Sequence, residues 1–231
     1  MLQLLQTCWW QLLIILVGAY LLGSVNFAII VTRMLTKQDI RAVGSGSAGT
    51  TNVLRSQGKL PALLTAVGDL GKSIAAAYLS GWMMDAARQA AGLDLSREQA
   101  WMVGLYLGGL ACILGHVYPL YFKFHGGKGV MTTLGIMLIL DWRVALICLG
   151  VFVILVAVWR MVSLGSVCAA MTMAVLTWIF RGVIDGWESG VVWFCTAMAV
   201  LIAGLLVWKH VPNIRRIIAG TESKLGSKKA E

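Results

Sequence analysis

Long apolar segments constrain this chain more than any other feature of its sequence. Stretches of about twenty mostly apolar residues, the length that crosses a bilayer, recur from near the N-terminus to Trp208. Charged residues cluster between them and make up only 13% of the 231 residues, against 59% hydrophobic residues. The mean hydropathy of +0.82 is far above that of a soluble domain. The sequence therefore predicts an all-α integral membrane protein.

The spacing of the apolar segments indicates where the spans lie. Five are clear, at about 9–31, 61–84, 100–119, 163–180 and 190–208. The apolar stretch 130–159 is interrupted by Asp141-Trp142-Arg143. It is therefore either one over-long span or two short ones.

The distribution of Lys and Arg favours two spans in that stretch, and hence seven in total. The polar segments 37–59 and 121–130 then share one face with the tail 209–231 and carry most of the cations. Cytoplasmic loops are enriched in Lys and Arg. We therefore expect seven transmembrane helices with the N-terminus outside and the C-terminus cytoplasmic, forming a single transmembrane domain over 1–231.

Composition also excludes some functions. The formal net charge of +9 is what an excess of Lys and Arg in cytoplasmic loops gives. It does not indicate nucleic-acid binding, because the basic residues are not interleaved with aromatic residues in an RNA-binding motif. The Cys residues lie scattered in apolar runs, and none shows CxxC or zinc-ligand spacing. We expect buried thiols and no metal site.

A polar, glycine-rich stretch between the first two spans, GSGSAGTTNVLR, is the first candidate site. Small residues let the backbone curl so that several N–H groups point into one hollow, which binds anions. On composition alone, a flexible polar linker is equally compatible. The predicted anion-binding residues are Gly44, Ser45, Gly46, Ser47, Gly49, Thr50, Thr51, Asn52 and Arg55.

Two further polar segments fall on the same predicted face. Gly126-Gly127-Lys128-Gly129 is an anion-compatible turn with a point charge, and Gly115-His116 leads into it. The third segment begins at His210, contains Asn213, and is followed by Glu222. Each segment alone is weak, since a basic tail is usually a solvated end near lipid. Together they predict a convergent anion site.

Several familiar catalytic patterns are absent. The glycine-rich stretch has Thr50 where a phosphate-binding P-loop needs lysine. The sequence has no HExxH motif, and no strand–helix context supports a Gly-x-Ser-x-Gly nucleophile elbow. The residue five positions after His116 is Tyr121, after His125 it is Val130, and after His210 it is Arg215, so a histidine-x4-aspartate pattern is missing too.

Asp69 and Lys72 are the charged residues inside the predicted second span. Each would cost about 2.5–3.5 kcal/mol at a helix centre facing lipid, so both are expected to face the bundle interior. Residues three apart on a helix are neighbours and can pair. The pair is either purely structural or helps to shape the anion site.

Three motifs together resemble the PlsY-type acyl-phosphate:glycerol-3-phosphate acyltransferases of bacteria. They are Ser-Gly-Ser-Ala-Gly-Thr-Thr-Asn-Val-Leu-Arg at 45–55, Gly-His-x-x-Pro-x-x-x-x-Phe-x-Gly-Gly-Lys-Gly-Val at 115–130, and His-x-x-Asn-Ile-x-Arg at 210–216. The resemblance covers essentially the whole chain. It implies transfer of a fatty acyl group from acyl phosphate to the 1-hydroxyl of glycerol 3-phosphate, without a cofactor, a metal, acyl-CoA or acyl carrier protein.

The resemblance also implies roles for individual residues. Ser45, Arg55, Lys128, His210 and Asn213 would line the glycerol-3-phosphate site as catalytic residues. From its backbone N–H groups and hydroxyls, we expect the glycine-rich stretch, from Gly44 to Asn52, to cradle a phosphate, that of the acyl donor. We add to the binding residues Gly126, Gly127, Gly129, Asp69, Lys72, His116 and Glu222.

Some details stay open at this stage. Ser47 and His125 stand where the family usually has Asn and Lys, and Asn26 stands where it usually has Pro. The base that accepts the hydroxyl proton is either His210 or, as we favour, a substrate phosphate oxygen. His116 either orients its loop or touches substrate.

A small anion or phosphate transporter would use similar ingredients, namely glycine-rich turns and charges within the membrane. A transporter, however, places its site at the midplane and is often built from internal repeats. Here the polar motifs lie at one face, and no repeat is evident. We therefore expect a monomeric, multi-pass enzyme of the bacterial inner membrane whose partners are its two substrates and the bilayer.

Overall fold

A computed structural model describes residues 2–226, and the regular secondary structure among them is helical, as predicted. The tail residues 227–231, including Lys228 and Lys229 of the predicted cytoplasmic tail, lie outside the described part. The described residues form two compact units that divide between Leu140 and Asp141. Whether both units make one domain stays a prediction.

The first unit contains helices α1 to α7. Their bounds are α1 Leu2–Thr7, α2 Trp9–Ser24, α3 Phe27–Thr36, α4 Thr50–Gln57, α5 Lys59–Ala90, α6 Arg97–Val117 and α7 Val130–Leu140. Short 3-10 helices at Ile40–Ala42 and Leu120–Phe122 lie in the loops before α4 and α7. Helix α5 is longer than predicted, and near its end the Asp85 carboxylate pairs with Arg88 at 3.0 Å, which supports the added helical turn.

The first predicted span is broken between α2 and α3. Val25 is extended, and the Asn26 side chain caps α3 by accepting from Ile29 N at 3.2 Å. Asn26 Nδ2 also donates to the Ala48 carbonyl at 3.5 Å. Asn26 therefore begins α3 after the break and ties the break to the glycine-rich stretch.

Helices α5 and α6 pack closely because small residues face each other. A Cβ added to Gly104 would collide with the Ser80 carbonyl oxygen and the Gly81 Cα. With no side chain at that position, the two backbones lie in direct contact. This contact holds together α5, which carries Asp69 and Lys72, and α6, which carries His116.

The second unit contains α8 Trp142–Trp159, α9 Val162–Trp178, α10 Ser189–Lys209 and α11 Val211–Ile218, with a π-helical turn at Ile179–Ile184. Asp141 caps α8 by accepting from Arg143 N at 3.1 Å. The Arg143 guanidinium contacts Asp185 at 2.7 Å, and Arg181 contacts Asp141 at 3.4 Å. This cluster of four charged residues, which we call the Asp141–Arg143–Arg181–Asp185 cluster, fixes the start of α8.

Six helical segments of the described chain are long and apolar enough to cross a membrane, and the apolar helix α7 is shorter. The chain is thus a multi-span membrane protein. The stretch 130–159 is two helices that separate at Asp141, as the topology argument predicted. The count of seven spans and the orientation of the termini stay predictions.

Candidate active site

The glycine-rich stretch is an ordered loop closed by one buried side chain, that of Asn52. Its Oδ1 accepts from Ser45 N at 3.0 Å. Its Nδ2 donates to the carbonyls of Ile40, Val43 and Ser47 at 3.1, 2.9 and 3.1 Å. Gly44 adopts φ +64°, and a Cβ there would collide with Asn52 Oδ1. Asn52 therefore shapes the loop, and the stretch is no flexible linker.

The loop leads directly into helix α4. Its N-cap is Gly49, which supplies no side-chain cap to the first turn. The start of a helix carries partial positive charge and N–H groups that favour an anion. Thr50 Oγ1 is buried there without a hydrogen-bond partner among the described residues. One and a half turns later Arg55 is exposed on the same helix.

The second loop packs against the end of α6 through its glycines. Gly126 N donates to the Val117 carbonyl, and Gly127 N to the His116 carbonyl, both at 3.2 Å. A Cβ on Gly127 would collide with the His116 ring and the Ala48 carbonyl. Ala48 N in turn donates to the Gly126 carbonyl at 3.5 Å. The first unit thus brings the two predicted anion-binding loops together.

A buried charged cluster of Asp69, Lys72 and His116 lies behind these loops. Lys72 Nζ is 2.8 Å from Asp69 Oδ1 and 3.1 Å from His116 Nδ1. It also donates to the carbonyls of Gly23 and Val25 at 2.9 and 2.6 Å, next to the break in the first span. The pairing predicted for Asp69 and Lys72 is confirmed.

Two charged groups of opposite sign face His116 Nδ1. Lys72 Nζ lies 3.1 Å from it and Asp69 Oδ1 3.5 Å from it, while Nε2 lies on the other side of the ring. That nitrogen is the one beside Gly127. His116 is only 3% exposed, so it is placed to support the second loop from within the protein.

The second unit gathers a separate polar network around Asn213. Asn213 Nδ2 donates to Glu222 Oε1 at 2.7 Å and to Ser163 Oγ at 2.8 Å. Ser163 Oγ donates to Glu222 Oε1 at 2.6 Å, and Arg216 Nε donates to Glu222 Oε2 at 2.8 Å. The amide hydrogens of Asn213 are thereby directed at Ser163 and Glu222.

Glu222 is held in its charged form. Burial raises the pKa of its carboxyl, but hydrogen bonds from Ser163, Asn213 and Arg216 outweigh burial and lower the pKa below the ordinary value. Ser163 was missed by the sequence reasoning. The available signal was a hydroxyl in the first turn of an otherwise apolar helix, α9.

His210 lies at the junction of α10 and α11. Its Nδ1 is 2.8 Å from the Leu206 carbonyl oxygen, which can only accept, so Nδ1 carries the ring proton. In the neutral ring Nε2 is then the basic nitrogen. Pro212 in the first turn of α11 fixes the direction of the chain after His210.

The predicted site residues differ in exposure. Exposed residues are Gly44, Ser45, Gly46 and Arg55; partly buried ones are Ser47, Gly49, Thr50, Thr51, Gly126 and Lys128. Buried ones are Asn52, Asp69, Lys72, His116, Gly127, Gly129, His210, Asn213 and Glu222. The exposed residues are accessible from solution, whereas the buried residues lie beneath the protein surface.

Sequence and structure comparisons agree with this architecture. A family model described as glycerol-3-phosphate acyltransferase matches residues 13–220. A glycerol-3-phosphate acyltransferase of Aromatoleum aromaticum is 42% identical over 218 residues, covering 94% of this chain and 98% of the relative. One from Laribacter hongkongensis is 40% identical over 214 residues, covering 93% and 96%.

Solved structures show the same similarity. The crystal structure of PlsY, an integral membrane glycerol 3-phosphate acyltransferase, in its glycerol 3-phosphate form has a TM-score of 0.73 at 33% identity. It covers 93% of this chain and 96% of that chain. The lysophosphatidic acid form has a TM-score of 0.71 at 31% identity, covering 93% and 95%.

The helices and the paired glycine loops define a multi-span membrane protein with its polar chemistry at the ends of its helices. The relatives that it resembles are named as acyltransferases that act on glycerol 3-phosphate. The chain belongs to the PlsY family of glycerol-3-phosphate acyltransferases.

Proposed function

We propose that this protein transfers a fatty acyl group from acyl phosphate to the 1-hydroxyl of glycerol 3-phosphate, giving lysophosphatidic acid and phosphate. The observation that carries the proposal is the meeting of two glycine loops at Ala48 and Gly126, in a unit that also holds Arg55 and Lys128. Backbone N–H groups and cations suit two substrates that both carry phosphate.

The reaction needs little acid catalysis, because acyl phosphate is a mixed anhydride with a good leaving group. The glycerol hydroxyl oxygen attacks the acyl carbon and forms the ester bond. The bond from that carbon to the bridging phosphate oxygen breaks, and phosphate leaves with the electron pair. The hydroxyl proton passes to a phosphate oxygen of the substrate, or to His210 Nε2 as the alternative.

We assign the phosphate of the acyl donor to the glycine-rich loop, at the start of helix α4, with Thr50 and Thr51 as hydroxyl donors. We assign glycerol 3-phosphate to Ser45, Arg55, Lys128, His210 and Asn213, the residues that the family resemblance implies. The charged form of arginine presents a planar fork that fits phosphate, and each charge-assisted hydrogen bond contributes about 1.5–3 kcal/mol.

The seven-span topology belongs to the same proposal. Helix α7 has 11 residues, about 16 Å of helix, so it would cross only where the bilayer thins or where the chain before it adds length. We place the N-terminus outside and the C-terminus in the cytoplasm of a bacterial inner membrane. We propose a monomer that functions as one transmembrane domain.

The direct test uses the purified, reconstituted protein with labelled glycerol 3-phosphate and either palmitoyl phosphate or palmitoyl-CoA. We expect labelled lysophosphatidic acid and released phosphate from palmitoyl phosphate alone. Product from neither donor would exclude the acyltransferase activity. Product from the CoA ester alone would exclude the proposed donor. Uptake of labelled phosphate into sealed vesicles without product would favour a transporter.

A further inference from the structure

The segment between Pro119 and Gly126 has an unfavourable backbone. Lys123 and Phe124 are consecutive non-glycine residues with φ of +57° and +60°. The left-handed region brings the side-chain Cβ close to the carbonyl oxygen, so residues other than glycine adopt it only where neighbouring contacts hold them. The loop that carries Lys128 follows directly after this pair.

Arg41 holds both sides of the left-handed pair. Its Nη1 donates to the Phe122 carbonyl at 2.8 Å and to the His125 carbonyl at 3.4 Å. Phe122 and His125 immediately precede and follow the pair formed by Lys123 and Phe124. One guanidinium nitrogen therefore bridges the two ends of the disfavoured turn.

Asp39 fixes the direction of that guanidinium. Its two oxygens accept from Arg41 Nε at 2.9 Å and from Nη2 at 2.7 Å, a bidentate pair that leaves Nη1 pointing at the carbonyls. Asp39 Oδ1 also accepts from Arg41 N at 3.1 Å. The hydrogen bond from Arg41 lowers the pKa of Asp39 far below its usual range, so the pair stays charged near neutral pH.

Arg41 lies in the 3-10 turn Ile40–Ala42, just before the glycine-rich loop. That turn is itself fastened to the loop, because Asn52 Nδ2 donates to the Ile40 carbonyl at 3.1 Å. The backbone contact between the loops, from Ala48 N to the Gly126 carbonyl, is longer at 3.5 Å. The Arg41 contact to Phe122 thus supplies a short, charge-assisted link between the two loops.

We propose that Arg41 is a positioning residue for the acyl transfer, which holds the turn at Lys123 and Phe124 so that Lys128 is presented in register with the glycine-rich loop. This inference rests on the proposed function, in which Lys128 binds glycerol 3-phosphate. Arg41 acts through the backbone carbonyls of Phe122 and His125, and its charge is neutralised by Asp39.

The first test compares Arg41→Gln and Arg41→Lys by steady-state kinetics. Both variants lose the planar guanidinium group of Arg41. Both should therefore raise the KM for glycerol 3-phosphate about tenfold, while kcat and the KM for palmitoyl phosphate change about threefold or less. Arg33→Lys is the matched control, because Arg33 also pairs with Asp39, at 2.6 Å, but contacts Phe122 through the face of its ring. It should behave like the wild type. Full activity of Arg41→Lys would overturn the proposal, since charge alone would then suffice.

The second test asks whether relieving the backbone strain rescues the variant. Lys123→Gly with Phe124→Gly should restore most of the lost affinity for glycerol 3-phosphate in the Arg41→Gln background, because glycine adopts positive φ freely. The same two changes in the wild-type background should have little effect. Absence of rescue would show that Arg41 does more than hold this turn, and would overturn the proposal.

Hydrogen exchange separates this inference from the proposed function. Amides of residues 121–129 should exchange faster in Arg41→Gln than in the wild type and in Arg33→Lys, whether or not any product forms. Unchanged exchange there would overturn the positioning role. Lack of product from the wild type with accelerated exchange in Arg41→Gln would overturn the acyltransferase assignment alone.

Discussion

Two polar regions of this apolar chain are built on opposite principles. In the glycine-rich loop, a neutral amide on Asn52 satisfies the backbone, while Ser45 and Arg55 remain exposed. In the Asp141–Arg143–Arg181–Asp185 cluster, charges neutralise one another, and Arg143 contacts both Asp141 and Asp185 at 2.7 Å. Mutual pairing of this kind favours a structural role, whereas an ordered loop that presents donors outward favours ligand binding.

The largest effect should come from the loop's cation. Arg55→Lys keeps the charge but loses the planar fork, and we expect activity to fall about a hundredfold. The measurement is lysophosphatidic acid formed per minute at saturating palmitoyl phosphate. Lys37→Arg is the control, since Lys37 is an exposed cation in the same connection between spans. Equal activities of the two variants would mean that the glycine-rich loop only links two spans and does not bind substrate.

The next effect should come from the loop's scaffold. Asn52→Ala removes one acceptor and a donor group that serves three carbonyls, so the free energy of unfolding should fall by about 3 kcal/mol and activity should fall with it. Thermal unfolding in detergent measures the change in stability, and product formation measures the change in activity. Gln57→Ala, which removes an exposed contact to Gln38, should change neither. Wild-type behaviour of Asn52→Ala would show that the glycines alone hold the loop.

A smaller, pH-dependent effect is expected at Glu222. Its pKa is lower in the folded protein than in the unfolded chain, so its charged form stabilises the fold above the unfolded pKa. That contribution, about 2 kcal/mol, is lost as pH falls through the folded pKa. Glu222→Gln should therefore lower stability near neutral pH and flatten its decline in acid.

Thermal unfolding between about pH 3 and 7 measures the contribution of Glu222. The exposed Glu98→Gln serves as its control and should keep the wild-type pH dependence. A curve for Glu222→Gln that is parallel to the wild type over that range would contradict the assignment.

The smallest effect should come from the neutralised cluster. Arg143 lowers the pKa of Asp185 by its hydrogen bond, yet Arg143 keeps Asp141 as a partner when Asp185 is changed. Asp185→Asn should therefore cost about 1 kcal/mol of stability. The KM and kcat should not change, and steady-state kinetics checks this. A changed KM for either substrate would show that this cluster contributes to substrate binding. The cluster would then not differ in role from the glycine-rich loop.

The sequence predicted the structure where the chemistry of a single residue type determines the outcome. Buried charges must pair, so the spacing of Asp69 and Lys72 predicted their contact. Charged residues interrupt an apolar run, so Asp141 predicted the boundary between α7 and α8. The order of the three motifs indicated the family, and the family model confirms it.

The sequence was less informative where a residue's role depends on its direction. Asn52 was predicted to bind phosphate, but its amide is directed at the loop backbone. Ser163 reaches Glu222 across 59 positions of sequence, and Arg41 reaches Phe122 across 81. Such contacts follow from tertiary packing, which periodicity and composition do not encode.

The break at Val25 has a consequence for how the chain enters the membrane. Carbonyl oxygens freed by a helix break need another hydrogen-bond donor, and here the ammonium group of Lys72, on a later span, donates to those of Gly23 and Val25. The carbonyls of Gly23 and Val25 in the first span therefore lack this donor until the second span, which carries Lys72, is also present. We expect the two to partition from the translocon as a pair, so a chain truncated after Gln57 should insert less stably than one truncated after Ala90.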